Sequence, residues 1–174
     1  MLKIFYPKLY ASSLVGIEPE LLKKLGLKGI LMDLDNTIVR RDSNRFSKEV
    51  EAWLVELRSR GFKLGIVSNN SRQRVGAVAG LLDLPSVHRA VKPLVSPFRR
   101  AMKMLGTKPA ETALIGDQIF TDIFGGNLCG LYTILVVPLE GKEFWGTRLF
   151  SRPLEKIILT RLKRYPEVLH GRWD

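Results

Sequence analysis

The chain has 174 residues, 45% of them hydrophobic and 26% charged, with a net charge of +11 and one cysteine. That length suits one domain with a sizeable core. No apolar run reaches the roughly 18 to 20 residues that cross a bilayer, and no N-terminal stretch has the order of a secretory signal. Cys129 cannot form an internal disulfide, which fits a reducing cytoplasm, and it reads as a small packed residue. The positive excess draws the chain towards polyanions: nucleic acid, a ribosome surface or anionic lipid.

In chain order, residues 18–25 read as a short helix, with Pro19 in its first turn and Gly26 past its end. The first core strand is expected over residues 30–34. It ends an apolar run with Asp33 and Asp35 and then the turn Asn36-Thr37. On a continuing strand two residues apart share a face, so the two carboxylates would repel unless a proton or a cation lay between them. Oxygen ligands of this kind suit a hard divalent cation such as Mg²⁺. Ser47 can cap a helix to about Arg60, with Val50, Trp53, Leu54 and Leu57 on one face. A second strand over residues 62–67 runs into Ser68-Asn69-Asn70. A helix with Val75, Val78, Ala79 and Leu82 inward follows, then a strand over residues 87–91 leading to Lys92-Pro93. Phe98, Ala101, Met102 and Leu105 mark a further helix. A strand over residues 112–115 leads to Gly116-Asp117 and on to Thr121-Asp122, and residues 132–137 form the last strand. Alternation of this kind predicts a three-layer α/β fold around a five-stranded parallel sheet. Right-handed crossovers then bring every polar strand end to one edge.

Taken together, Asp33-Leu34-Asp35-Asn36-Thr37, Ser68-Asn69-Asn70, Lys92-Pro93 and Gly116-Asp117 with Asp122 resemble the haloacid dehalogenase (HAD) superfamily over about residues 28–137. With Tyr6-Pro7 they are similar in detail to its subfamily IIIA phosphatases, which are related to the phosphatidylglycerophosphate phosphatases. The resemblance implies a HAD-like (Rossmann-like) fold, an aspartyl-phosphate intermediate and a Mg²⁺ cofactor. Asp33 would be the nucleophile and Asp35 the general acid and base. Asp33, the Asp35 backbone carbonyl and Asp117 would hold the metal, supported by Asp122. Ser68, Asn69 and Lys92 would bind the phosphoryl group. The gaps from Asp35 to Ser68 and from Ser68 to Lys92, where relatives insert cap domains, are too short for one. A capless site stands open, which suits a large or surface-held substrate, and the resemblance points to phosphatidylglycerophosphate.

The C-terminal segment, about residues 144–174, adds a separate reason to consider membranes. Phe144, Trp145 and Phe150 precede a stretch with Leu154, Ile157, Ile158 and Leu162 at helical spacing, among Arg148, Arg152, Lys156, Arg161, Lys163 and Arg164. A basic amphipathic helix of this type can lie on an anionic bilayer or pack its apolar side on the core. The whole chain is therefore expected to be one HAD-like hydrolase domain, cytoplasmic and peripheral to the membrane's inner face. The alternatives are an RNA- or ribosome-associated protein with weak phosphatase activity, or a phosphatase of phosphoproteins or nucleic-acid ends. No RNA-binding motif supports the first of these.

Overall fold

All four residues of the strand Gly29–Met32 are buried, so this strand needs partners on both edges and cover on both faces. The computed structural model describes residues 2–139 and supplies both. The elements are β1 (Leu9–Ala11), α1 (Pro19–Lys24), β2 (Gly29–Met32), α2 (Lys48–Ser59), β3 (Lys63–Val67), α3 (Arg72–Leu82), β4 (Ser86–Val87), α4 (Val95–Leu105), β5 (Thr112–Gly116), α5 (Gly125–Leu128) and β6 (Tyr132–Val136). The strands form one sheet in the order β1-β6-β5-β2-β3-β4, every pair parallel. The segment at residues 144–174, with its expected amphipathic helix, lies outside the described residues.

Side chains of β2 alternate between two cores. Ile30 and Met32 join the cluster that α2 and α3 cover with Trp53, Leu54, Leu57, Val75, Val78 and Leu82. Leu31 joins the opposite cluster, built on Phe98, Ala101, Met102 and Leu105 of α4. Ser47 caps α2, its hydroxyl accepting from the Val50 amide at 3.3 Å. Ser71 caps α3 in the same way, accepting from the Arg74 amide at 3.3 Å. The chain runs from β2 outward to β3 and β4, then returns to β5 on the other side of β2. That reversal opens a crevice at the C-terminal end of β2, the place where open α/β sheets bind ligands.

Three features depart from the sequence reading. Among the described residues the sheet has six strands, not five: Leu9–Ala11 adds to the edge beside β6, pairing Leu9 with Ile134 and Ala11 with Val136. The strand expected over residues 87–91 is only Ser86–Val87, because Arg89 and Val91 take positive φ values of 46° and 55° and break the extended run. Residues Ile119–Phe124 form a π-helical turn before α5. Helix α2 fills the crossover between β2 and β3 and α3 that between β3 and β4, with no inserted cap in either.

Candidate active site

Strand β2 ends at Met32, and the Asp33 amide extends its ladder by one bond, donating to the Ile115 carbonyl at 2.9 Å. Beyond this the chain turns. The Ile38 amide donates to the Leu34 carbonyl at 3.0 Å, and Asn36 has φ +62°. The alternation expected to put Asp33 and Asp35 on one face therefore fails. Asp33 meets groups that follow β4 and β5, whereas Asp35 meets groups of α3 and the turn before it.

Around Asp33 the structure gathers three carboxylates and one cation. Oxygens of Asp33, Asp117 and Asp122 lie within 4.8 Å of one another. The Lys92 ammonium donates to Asp33 Oδ1 at 2.5 Å and to Asp122 Oδ1 at 2.6 Å. Asp33, Lys92 and Asp122 are buried, and Asp117 is half-buried. The second Asp122 oxygen accepts from the Gln118 amide at 3.2 Å, so this carboxylate also closes the turn after β5 rather than capping a following helix. It fits there because residue 116 is glycine: a Cβ on Gly116 would stand 2.6 Å from the Asp122 Cβ.

The charges are unevenly balanced. Burial lifts the Asp33 carboxyl to about 6, with Lys92 opposing the rise and Asp122 adding to it. Burial also pushes Asp117 well above the usual carboxylate range, and the charges of Asp33 and Asp122 push it further. For Lys92, burial alone would lower the ammonium, yet the attraction of Asp122 and Asp33 outweighs it and raises the group. The surplus of negative charge is what a divalent cation would neutralise. Asp117 Oδ1 is buried with no hydrogen-bond partner among the described residues. An all-oxygen cluster with one idle buried oxygen fits a hard cation well.

The phosphate-binding residues expected from the sequence line the same edge. The Ser68 amide donates to the Val87 carbonyl at 2.9 Å, and the Ser68 hydroxyl accepts from the Asn70 amide at 3.2 Å, so its own proton points elsewhere. Asn69 Oδ1 accepts from the Lys92 amide at 2.7 Å, joining the β3 and β4 loops beneath Lys92. The Lys92-Pro93 peptide is cis. The Asp35 side chain lies outside the acid cluster. Its Oδ1 accepts from Arg74 Nη2 at 2.9 Å and Nε at 3.2 Å, and its Oδ2 from Asn70 Nδ2 at 2.9 Å. Arg74 and Asn70 had no assigned part in the sequence reading. The sole hint was Asn70's place in the Ser-Asn-Asn run, and nothing marked Arg74 among 28 basic residues.

A family model described as haloacid dehalogenase-like hydrolase matches residues 42–130. The chain belongs to this family, and within it to the phosphatases, which hydrolyse phosphoric monoesters. A protein of Bacillus subtilis named "Probable phosphatase YqeG" is 40% identical over 172 residues, 99% of this chain and 98% of that one. The chloroplastic and mitochondrial phosphatidylglycerophosphate phosphatase 1 of Arabidopsis thaliana is 25% identical across 96% of this chain, which spans 47% of the plant protein. Among solved structures, a HAD phosphatase from Thermococcus onnurineus shares the fold, with a TM-score of 0.57 at 19% identity, covering 68% of this chain and 90% of that one.

Proposed function

We propose that this protein is a Mg²⁺-dependent phosphomonoesterase that works through an aspartyl-phosphate on Asp33 and acts on a large or surface-held substrate of the phosphatidylglycerophosphate type. The observation that carries the reading is the position of Asp33: buried, at the end of the central strand, between Lys92 and two further acids. An oxygen of Asp33 forms the bond to phosphorus as the bond to the leaving oxygen breaks, and Asp35 gives that oxygen a proton. Asp35 then takes a proton from the water that attacks phosphorus, and phosphate departs with Asp33 restored. Lys92, the Ser68 hydroxyl and the Asn69 amide hold the phosphoryl oxygens. Asp33, Asp117 and the Asp35 carbonyl would bind Mg²⁺, with Asp122 in support, and the bound ion would supply charge neutralisation at the phosphoryl group.

The rim of the site supports the large-substrate reading. The turn that aims Lys92 inward leaves Val91 and Leu94 63% and 57% exposed. Phe120 of the π-helical turn, Leu139 after β6 and Arg72 at the start of α3 are also exposed, as are Arg40, Arg45 and Arg89. Apolar and cationic side chains around an uncapped site match an anionic interface. Among the described residues no helix is long and apolar enough to cross a membrane.

Two measurements test the proposal. Asp33→Asn should remove Mg²⁺-dependent hydrolysis of p-nitrophenyl phosphate, a loss of several orders of magnitude, while the circular dichroism stays native. Substantial turnover by a clean preparation would reject Asp33 as the nucleophile. Phosphatidylglycerophosphate in mixed micelles should be hydrolysed with a higher kcat/KM than a phosphopeptide or a 5′-phosphorylated oligonucleotide. The opposite ranking would overturn the substrate class.

A further inference from the structure

We propose that Arg74 is a positioning residue for the proton transfer, fixing Asp35 so that Oδ2 alone is its working oxygen. This rests on the reading of Asp35 as proton donor and acceptor. An ionised carboxylate has about four lone-pair positions. Three are filled here: two on Oδ1 by Arg74 Nε and Nη2, and one on Oδ2 by Asn70 Nδ2. Among the described residues the position left open is on Oδ2. With Oδ1 held at two points by a planar fork, the carboxyl cannot rotate about its χ2 axis without breaking both bonds. Oδ2 can then lose its proton to the leaving oxygen and later take one from water, with the group's orientation unchanged through both steps.

The grip is itself anchored. Arg74 stands in the first turn of α3, its amide bound to the Ser71 cap. Its Nη2 also donates to the Arg40 carbonyl at 2.9 Å and its Nη1 to Asn44 Oδ1. One guanidinium therefore ties Asp35 to a helix on one side and to the loop after β2 on the other. The pair is largely shielded, with side-chain exposures of 17% for Arg74 and 8% for Asp35, so solvent does not compete strongly for these bonds.

The test compares two substrates with unequal need for a proton: p-nitrophenyl phosphate, whose leaving group departs as a stable anion, and propyl phosphate, whose leaving group does not. The reading is kcat/KM with saturating Mg²⁺. Arg74→Ala should lower kcat/KM for propyl phosphate on the order of 10- to 100-fold and for the aryl ester far less, since misplaced proton transfer harms only the poor leaving group. Arg74→Lys keeps the charge but not the fork and should recover little. Adding Arg74→Ala to Asp35→Asn should cost nothing further for either substrate. Asn44→Ala cuts only the exposed end of the bridge, so it should fold normally and give a smaller loss with the same bias towards propyl phosphate. Equal losses on both substrates from Arg74→Ala and Asn44→Ala, or additivity with Asp35→Asn, would overturn the inference. If Asp35→Asn itself lowers both substrates equally, the reading of Asp35 falls and takes the inference with it.

Discussion

At the scale of single residues, the site is a contest between one buried cation and three acids. Lys92 is the sole positive group among the described residues that touches both Asp33 and Asp122. Removing it as Lys92→Ala leaves buried carboxylates without their partner, and such losses cost about 3–5 kcal/mol. Urea unfolding without metal should show a cost of this size, and Mg²⁺ should bind Lys92→Ala at least as tightly as the native protein. Asp117→Ala should behave in the opposite sense. Its carboxyl is raised well above the ordinary range, so it opposes folding by a penalty that is absent below the ordinary carboxylate value and grows as pH rises towards the folded one. Metal-free Asp117→Ala should therefore unfold at higher urea than the native protein while its Mg²⁺ affinity falls. Titration calorimetry showing equal Mg²⁺ loss in both variants would mean that the division of roles is wrong. Asp33, Lys92 and Asp117 were legible because each stands at or just past an apolar run, and sheet topology brings such positions together, whereas Asp122 came from the family resemblance alone. Arg74 was not: a surface-length side chain on a helix gives no sign in sequence that it turns back across the sheet edge.

At the scale of elements, the placement of the acids depends on how strands end. The apolar runs announced β2, β3, β5 and β6, the Ser47 cap and apolar periodicity announced α2, and periodicity announced α3 and α4. Leu9–Ala11 was silent because three residues carry no periodicity, and its strand conformation comes from pairing with β6. The shared face expected for Asp33 and Asp35 failed because the chain leaves the sheet between them. At the end of β5 the same point becomes a prediction. Gly116 leaves room for the Asp122 carboxylate, so Gly116→Ala should push that group away from Lys92. A cost of about 1–3 kcal/mol is expected for such overpacking, together with at least a tenfold loss of Mg²⁺ affinity. Denaturant unfolding and calorimetry would check both, and an unchanged affinity would show that Asp122 plays no part in holding the metal.

At the scale of the whole molecule, the +11 charge and the uncapped site belong to one proposal. The cations at the rim and those of residues 144–174 would hold the protein on an anionic surface, each contributing on the order of 1 kcal/mol and less in salt. Replacing Arg148, Arg152, Lys156 and Arg161 with glutamine should weaken binding to anionic liposomes by a few kcal/mol at most and leave p-nitrophenyl phosphate hydrolysis nearly unchanged. Co-sedimentation at two salt concentrations is the measurement. Native protein that ignores anionic liposomes yet binds RNA tightly would favour the nucleic-acid alternative.

The exit of β6 gives this arrangement a kinetic meaning. The Val137 amide donates to the Ala11 carbonyl at 3.3 Å, and the Leu139 amide donates to the Asn36 carbonyl at 2.9 Å, one residue from Asp35. The chain thus passes the mouth of the site just before residues 140–174 begin. If those residues grip a surface, as proposed, each later encounter between Asp33 and a headgroup would be intramolecular. Turnover by a docked molecule would then follow the two-dimensional density of phosphorylated headgroups rather than their amount per volume of solution.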